Sequence, residues 1–319
     1  MSTIATRVGR IHDETTEVRV FELAPAEGSS LPPFTPGAHI DVYLSDGLIR
    51  QYSLCNGPAD RSRYIIGVKR EAASRGGSAA MHDRVREGDT LRISAPRNNF
   101  ELLDTASHYV LVAAGIGVTP ILSMAQHLQA RGASLEVHYF ARAVGQAPFH
   151  ALLSGPAFGG TVDFYYSLDP DGVRAKLRKL LWERKPHAHL YLCGPRPFMD
   201  TVQDVASATW PPDAVHVEYF TADVNALAAP RETFTVRLAR SGGEYVVPEE
   251  QTVVQALAQY GIHLDVSCEQ GVCGTCLTGV LEGDPDHRDS FLTDEERSRG
   301  DKMLPCVSRS CSQVLVLDL

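Results

Sequence analysis

The sequence has no run of 18 apolar residues, so no segment is suited to cross a bilayer as a helix; the best candidate, Tyr109–Val118, is short and broken by glycines. The opening residues, MSTIATRVGRIHDETTE, lack the apolar core of a signal peptide. The expected location is therefore the cytoplasm, with no membrane partner. Positive charge is scarce: 30 Lys/Arg stand against 39 Asp/Glu, a net −9. That balance sets the chain against a nucleic-acid partner. The cysteines number seven, and an odd count in a cytosolic chain argues against a disulfide framework. No Cys-x-His occurs, which argues against a Rieske centre. With no haem-attachment motif and no evident mononuclear iron triad, the chain has no oxygen chemistry of its own.

What is present suits a globular protein of two or three domains: 319 residues, 44% apolar and 22% charged. The acidity is concentrated. Residues 231–319 hold 15 Asp/Glu and 8 Lys/Arg, a net −7. Such a region can dock a basic protein or simply form a solvated surface. Five of the seven cysteines also fall there. Cys268, Cys273, Cys276 and Cys306 are spaced C-x4-C-x2-C-x29-C, the plant-type [2Fe–2S] pattern. Three thiolates on one tight loop reach a cluster from one side and the fourth arrives from a distant segment. Gly271 and Gly274 allow the loop to curl and turn backbone N–H groups toward sulfur. A zinc site of four cysteines usually shows two C-x2-C pairs, and here there is one. Around the cysteines, Thr233–Leu238 and Val314–Leu317 read as strands. Thr252 can cap a helix running to Tyr260 and stopped by Gly261.

A second pattern lies mid-chain. Tyr109–Ala114 is a strand-length apolar run, followed by Gly115-Ile-Gly117-Val-Thr119-Pro120 and a helical pattern over Ile121–Ala130. Thr119 is a candidate N-cap, and Pro120 suits a first helical position. A strand, a glycine turn and a helix N-terminus make an anion site. Strands over Leu135–Phe140, Thr161–Leu168 and Leu190–Cys193 alternate with helices over Asp171–Lys185 and Arg196–Ala208. That alternation implies a parallel sheet. Its ligands lie beyond the carboxyl ends of the strands, where Gly115, Gly117 and the Cys193-Gly194-Pro195 turn all fall.

Residues 1–100 have short strands, clearest at Val18–Leu23, His39–Leu44, Tyr64–Lys69 and Thr90–Ser94, and no long helical period. This suggests an antiparallel barrel. Within it, Arg50 can hold a phosphate or be a surface charge, Tyr52 can cover a planar ring or line the barrel wall, and Ser53 can donate to a ring nitrogen. Arg75-Gly76-Gly77-Ser78 reads as a short helix start that can meet the same phosphate.

In order, R-x-Y-S-L, G-G-S, G-I-G-V-T-P, C-G-P and a C-terminal C-x4-C-x2-C resemble the phthalate dioxygenase reductase family over essentially the whole chain. The resemblance implies a multidomain chain. Residues 1–103 form an FMN-binding antiparallel β-barrel of ferredoxin-reductase type, and 104–224 an NAD-binding α/β domain with a parallel sheet. Residues 225–232 form a linker, and 233–319 a β-grasp, plant-type [2Fe–2S] ferredoxin domain. It further implies that Arg50, Tyr52, Ser53 and Leu54 line the flavin, that Gly67, Val68 and Lys69 continue the site, and that Gly76, Gly77 and Ser78 grip its phosphate. Thr119 and Phe220 approach the isoalloxazine from the NAD domain. Gly115, Gly117, Pro120, Cys193, Gly194 and Pro195 match the pyridine-nucleotide motifs. FMN is favoured over FAD, with an adenine tail left open. NADH is favoured over NADPH: Arg142 can bind either a ribose or a 2′-phosphate, and Asp169 repels the latter.

The expected function is that of a reductase. NADH delivers electrons in pairs, a [2Fe–2S] cluster accepts them singly, and a flavin does both. The expected partner is a separate terminal oxygenase, either a Rieske-type ring-hydroxylating dioxygenase or an O-/N-demethylase. A cytochrome P450 is the alternative. Ser53 and Cys193 are the side chains expected at the reacting atoms, in positioning roles. For Cys193 a small buried strand-end residue is the competing reading. A redox-sensing regulatory protein would want an effector domain or a nucleic-acid surface, and neither is evident. A flavoenzyme with a vestigial cluster is opposed by the four cysteines. The Ala-rich stretch Thr221–Glu232 is expected to allow domain motion, in a chain acting as a monomer.

Overall fold

The computed structural model describes residues 3–28, 30–44, 47–72, 76–228 and 232–319. It contains two compact units, one ending at Glu218 and the other spanning Tyr219–Leu319.

The first unit begins with six antiparallel strands: β1 (Ile4–Asp13), β2 (Val18–Pro25), β3 (His39–Tyr43), β4 (Ile49–Ser53), β5 (Tyr64–Lys69) and β6 (Thr90–Ile93). A short helix, α1 (Gly77–Asp83), lies between the last two. The strand order is β4-β3-β6-β1-β2-β5, and an antiparallel bridge between Leu54 and Ile66 brings the two edge strands together. The sheet is thus a barrel, as expected, wrapped round Phe21, Leu23, Ile40, Val42, Ile66, Met81 and Ile93. β1 was not expected. Only Thr6 and Val8 of its ten residues are buried, so the apolar alternation that marks a half-buried strand is missing. Arg75 lies outside the described residues.

The same unit continues with five parallel strands: β7 (His108–Ala114), β8 (Leu135–Ala141), β9 (Val162–Tyr166), β10 (Ala188–Cys193) and β11 (Val215–Glu218), ordered β11-β10-β7-β8-β9. Every residue of β7 is buried, which is why it reads as an unbroken apolar run. The helices are α2 (Val118–Ala130), the single turn α3 (His150–Leu153), α4 (Pro170–Leu181) and α5 (Arg196–Ala206).

Two local expectations are corrected. Thr119 is not an N-cap. A 3-10 turn over Gly115–Gly117 runs straight into α2, and the Thr119 hydroxyl donates back to the Ile116 carbonyl at 3.0 Å. Pro120 is therefore the third helical residue, still within the first turn of α2, where proline is tolerated. Helix α4 stops at Leu181, not Lys185, because Pro186 disfavours a helical residue before it.

The second unit holds α6 (Val224–Ala228), β12 (Phe234–Leu238), β13 (Glu244–Val247), α7 (Val253–Gln259), β14 (Thr278–Glu282), β15 (Pro285–Asp286), α8 (Asp294–Arg299), β16 (Lys302–Met303), β17 (Arg309–Ser310) and β18 (Val314–Leu317). Its main sheet is ordered β13-β12-β18-β14-β16, with β12 and β18 parallel. Helix α7 contributes Val253, Ala256 and Leu257 to a core shared with Phe234, Val236, Leu315 and Leu317. This is the expected β-grasp. Thr252 caps α7 with Gln255 in a reciprocal capping box. Of the expected linker, Ala229, Pro230 and Arg231 lie outside the described residues. Tyr219 and Phe220, expected with the nucleotide domain, group with the second unit.

Candidate functional site

The four cysteines of the C-x4-C-x2-C…C pattern converge. Each is at most 7% exposed. Their thiols associate in two pairs, Cys268 with Cys273 and Cys276 with Cys306. In each pair one sulfur is held toward the thiolate by its partner's S–H. Cys273 is drawn down to about 5 by Cys268, and Cys276 is drawn down by Cys306. The donating thiols, Cys268 and Cys306, are pushed up correspondingly. Among the described residues, no three Cys, His, Asp or Glu side chains gather round a point that could hold one metal ion. A [2Fe–2S] group would be held here by the thiols of Cys268, Cys273, Cys276 and Cys306, all buried.

The backbone supports the sulfurs. Gln270 N–H points at Cys268 Sγ (3.3 Å) and Thr275 N–H at Cys273 Sγ (3.4 Å). The backbone of Val272 also reaches Cys268, and that of Gly271 reaches Cys306. The loop is folded against a second segment. Gly271 and Gly274 take φ of +66° and +72°, and a Cβ on Gly274 would meet the Phe291 ring at 2.4 Å. Asp289 fixes that wall by accepting the N–H groups of Phe291 (3.1 Å) and Leu292 (2.8 Å).

In the first unit the two turns at the carboxyl edge of the parallel sheet meet backbone to backbone. A Cβ on Gly117 would lie 2.3 Å from the Cys193 carbonyl oxygen, and one on Gly194 would lie 3.0 Å from Ala114 Cβ. Gly115, Gly117, Gly194 and Pro195, the N-cap of α5, therefore form one surface. Arg142 follows β8, its carbonyl accepting the Ser167 hydroxyl at 2.9 Å. Asp169 is engaged as the N-cap of α4, accepting Gly172 N–H at 2.7 Å. Cys193 is wholly buried, and burial pushes its thiol well up, with Glu218 a further cause. It stays a neutral thiol and cannot serve as an acid–base group.

Glu218 pairs with Cys193 across β10 and β11. Residue-level burial is partial, yet its carboxyl is enclosed: Oε2 has no hydrogen-bond partner, and desolvation raises the group to about 8. No local sequence pattern marks Glu218, just before Tyr219-Phe220, as enclosed.

On the barrel, Arg50 lies opposite Val42, Tyr52 opposite Ile40 and Ser53 opposite His39. Arg50 lies against Gly77, where a Cβ would sit 2.4 Å from its Nε, and Gly76 takes φ +86°. Arg50 and the Gly76-Gly77 backbone thus form a cradle that any side chain would fill, which suits a phosphate. Ser78 accepts Glu71 N–H at 3.1 Å. Burial raises the Tyr52 phenol and keeps it neutral. Leu54 and Val68 are fully buried, so Val68 offers only backbone, and its carbonyl is taken by His82 Nε2 at 2.8 Å. Lys69 pairs with Glu71 at 2.8 Å.

The barrel and the nucleotide turn meet at Gly67. A Cβ there would lie 3.1 Å from the Thr119 methyl and 3.3 Å from the Phe149 ring. Phe149 takes φ 60°, a strained backbone for an aromatic residue, and its N–H is held by Glu14 Oε1 at 2.7 Å. No sequence signal marks Phe149. The structure brings Gly67 and Thr119 together within the first unit; Phe220 belongs to the other.

A cysteine-paired β-grasp unit and a barrel joined to a glycine-turn α/β fold define an iron–sulfur oxidoreductase. Residues 236–311 match the family described as the 2Fe-2S iron-sulfur cluster binding domain. The chain is 47% identical over 299 residues to a vanillate O-demethylase oxidoreductase of Pseudomonas sp. (strain HR199), covering 93% of this chain and 94% of that one. Among solved structures, phthalate dioxygenase reductase, described as a modular structure for electron transfer from pyridine nucleotides to [2Fe-2S], aligns at a TM-score of 0.78 and 38% identity over 100% of this chain and 98% of that one. An intact type IV self-sufficient cytochrome P450 monooxygenase aligns at 0.84 and 36%, over 99% of this chain and 41% of that one. The chain belongs to the phthalate dioxygenase reductase family, the reductase components of oxygenase systems.

Proposed function

We propose that this chain takes electrons from NADH, passes them through FMN to a [2Fe–2S] cluster, and hands them to a separate Rieske-type oxygenase of the O-demethylase class. The observation that carries the reading is the pairing of four buried cysteines two by two in a chain that also holds the Arg50–Gly77 cradle and the Gly117–Cys193 contact. The likeness to a vanillate O-demethylase oxidoreductase supports the partner class. The second reading, delivery to a cytochrome P450, draws on the match to a P450 monooxygenase of which this fold is a part.

Bound FMN supplies the conversion between paired and single electrons. The chain's residues bind and orient. Arg50, Gly76, Gly77 and Ser78 hold the phosphate, with Tyr52, Ser53, Leu54, Gly67, Val68 and Lys69 round the ring and Thr119 closing it. Gly115, Gly117, Pro120, Gly194 and Pro195 hold the pyridine nucleotide, with Arg142 and Asp169 at its ribose end and Cys193 beside the nicotinamide. The N–H groups of Gln270 and Thr275 stabilise negative charge on sulfur and so raise the potential. The domains run 1–103, 104–224 and 233–319 about a linker at 225–232, and the chain works as a cytoplasmic monomer.

The test is direct. Anaerobically purified protein is assayed for iron, labile sulfide and acid-extracted flavin. Flavin bleaching is then compared with NADH and NADPH, and reduced protein is mixed with candidate oxygenases. Equimolar FMN, two irons and two sulfides per chain are expected, with faster bleaching by NADH. Zinc in place of iron would falsify the reading. Residues 231–319 carry a net −7, so electron delivery to the oxygenase should slow several-fold from ~0.05 to ~0.5 M salt. A salt-independent rate removes the acidic docking face.

A further inference from the structure

One helix ties the barrel to the nucleotide turn, partly through two side chains, Ser123 and Gln126, that are not among the site residues. Thr119, Ser123 and Gln126 are spaced i, i+4 and i+7 along α2, which is one face of a helix. Thr119 sits against Gly67. Ser123, fully buried, donates its hydroxyl to the Asn56 carbonyl at 2.9 Å. Gln126 makes two bonds: Nε2 donates to the Cys55 carbonyl at 2.9 Å and Oε1 accepts Gly57 N–H at 3.1 Å. Its amide reads backbone as a neighbouring strand would. Asn56 is fixed from the other side, Nδ2 donating to the carbonyls of Asp60 (3.2 Å) and Arg63 (3.0 Å) and Oδ1 accepting Ile65 N–H (2.9 Å).

Cys55–Gly57 is the segment that leaves β4, just past Leu54. The opposite end of α2 is the turn whose Gly117 backs onto Cys193. One rigid helix therefore connects the strand that carries the flavin residues to the turn that carries the nucleotide residues. We propose that Ser123 and Gln126 are positioning residues that clamp this strand exit to α2 and so set the spacing between nicotinamide and flavin ring. The proposal rests on the electron route above. The Glu14–Phe149 bond ties the two halves independently. Opening the clamp should therefore tilt α2 rather than separate the halves, and transfer between two rings is steep in their separation.

The test uses full-length holoprotein carrying Ser123→Ala, Gln126→Leu, or both, with Ser123→Thr as the variant that keeps the hydroxyl. Flavin and iron content should match wild type. Amide hydrogens of residues 55–57 and 119–126 should exchange faster in the double variant. The long-wavelength absorbance that reports nicotinamide stacked on oxidised flavin should weaken. The flavin-reduction rate at saturating NADH should fall ~10- to 100-fold, with KM moving less than ~3-fold and Ser123→Thr staying within ~2-fold of wild type. If the double variant does not fold, the single variants carry the same comparison with smaller losses. Faster exchange with unchanged absorbance and rate overturns the clamp. Wild-type flavin that NADH fails to bleach removes the electron route, and this role with it; a bleached wild type with indifferent variants removes this role alone.

Discussion

Cys193 and the cysteines of the β-grasp unit are the same side chain in two kinds of burial. Cys193 is alone: burial and the nearby Glu218 carboxyl both push its thiol up, so it is a small apolar body. Cys273 and Cys276 are buried nearly as deeply, yet are drawn down because each faces another thiol and loop N–H groups converge nearby. Burial alone makes a thiol inert; burial in a pair lets one sulfur of the pair take the charge that a ligand needs. The contrast separates the two units generally. The second unit gathers cysteine side chains at its candidate site, whereas the first gathers backbone shaped by glycine at its own.

Removing a sulfur should break that contrast most completely. Cys276→Ala takes one member of a thiol pair, and iron content should fall ~10-fold or more, since a metal site is lost with its ligands. Electron delivery to the oxygenase should drop ~100-fold or more, while NADH bleaches the flavin at the wild-type rate. Iron analysis with single-turnover absorbance checks both halves; a slowed flavin step would mean that the two units are not separable. Next in size is the backbone counterpart, Gly117→Ala. Its methyl would press to 2.3 Å from the Cys193 carbonyl, so one of the two turns must move. A loss of ~2–3 kcal/mol in stability and a ~10-fold rise in KM for NADH are expected, read by urea denaturation and steady-state kinetics.

The same division explains what the sequence disclosed. The convergence of the four cysteines was legible, because the C-x4-C-x2-C spacing puts three of them on one loop. The parallel strands were legible because burial on both faces leaves unbroken apolar runs, as in β7. β1 was not, since its exposed face breaks the alternation. The glycine turn was legible as a turn, but its purpose lies in a contact: Gly117 is required by Cys193, some 76 positions away. Phe149 and Glu218 were invisible for the same reason. A strained φ and an enclosed carboxyl are produced by tertiary neighbours, and no local pattern encodes them.

Glu218 sharpens the comparison through pH. Its carboxyl rises from the ordinary 4.5 to about 8 in the folded chain. Below pH ~4.5 it is protonated in both folded and unfolded states and costs nothing. As pH climbs from there toward 8, the unfolded chain releases this proton while the folded chain retains it, so stability falls across that window. The cost is on the order of 3 kcal/mol by pH 8, allowing for the residue's partial exposure. Glu218→Gln should abolish it. Urea midpoints of the two proteins should coincide near pH 4.5 and diverge upward in favour of the variant. Parallel curves would mean that the carboxyl is solvated.

The smallest effect belongs to Cys193→Ala, and it decides what a lone buried thiol is for. As strand-end packing, its sulfur contributes through contacts alone; its removal should cost ~1 kcal/mol and leave chemistry untouched. Beside the nicotinamide, the sulfur also limits how the ring can settle, and its loss should slow flavin reduction ~3- to 10-fold at saturating NADH while KM stays within ~2-fold. We expect the second pattern, because the Cys193 carbonyl is already the surface against which Gly117 closes, so a change at this residue is felt where the two turns meet. Single-turnover reduction followed at the flavin band separates the outcomes: a rate equal to wild type reduces Cys193 to filler and leaves its backbone as its whole contribution.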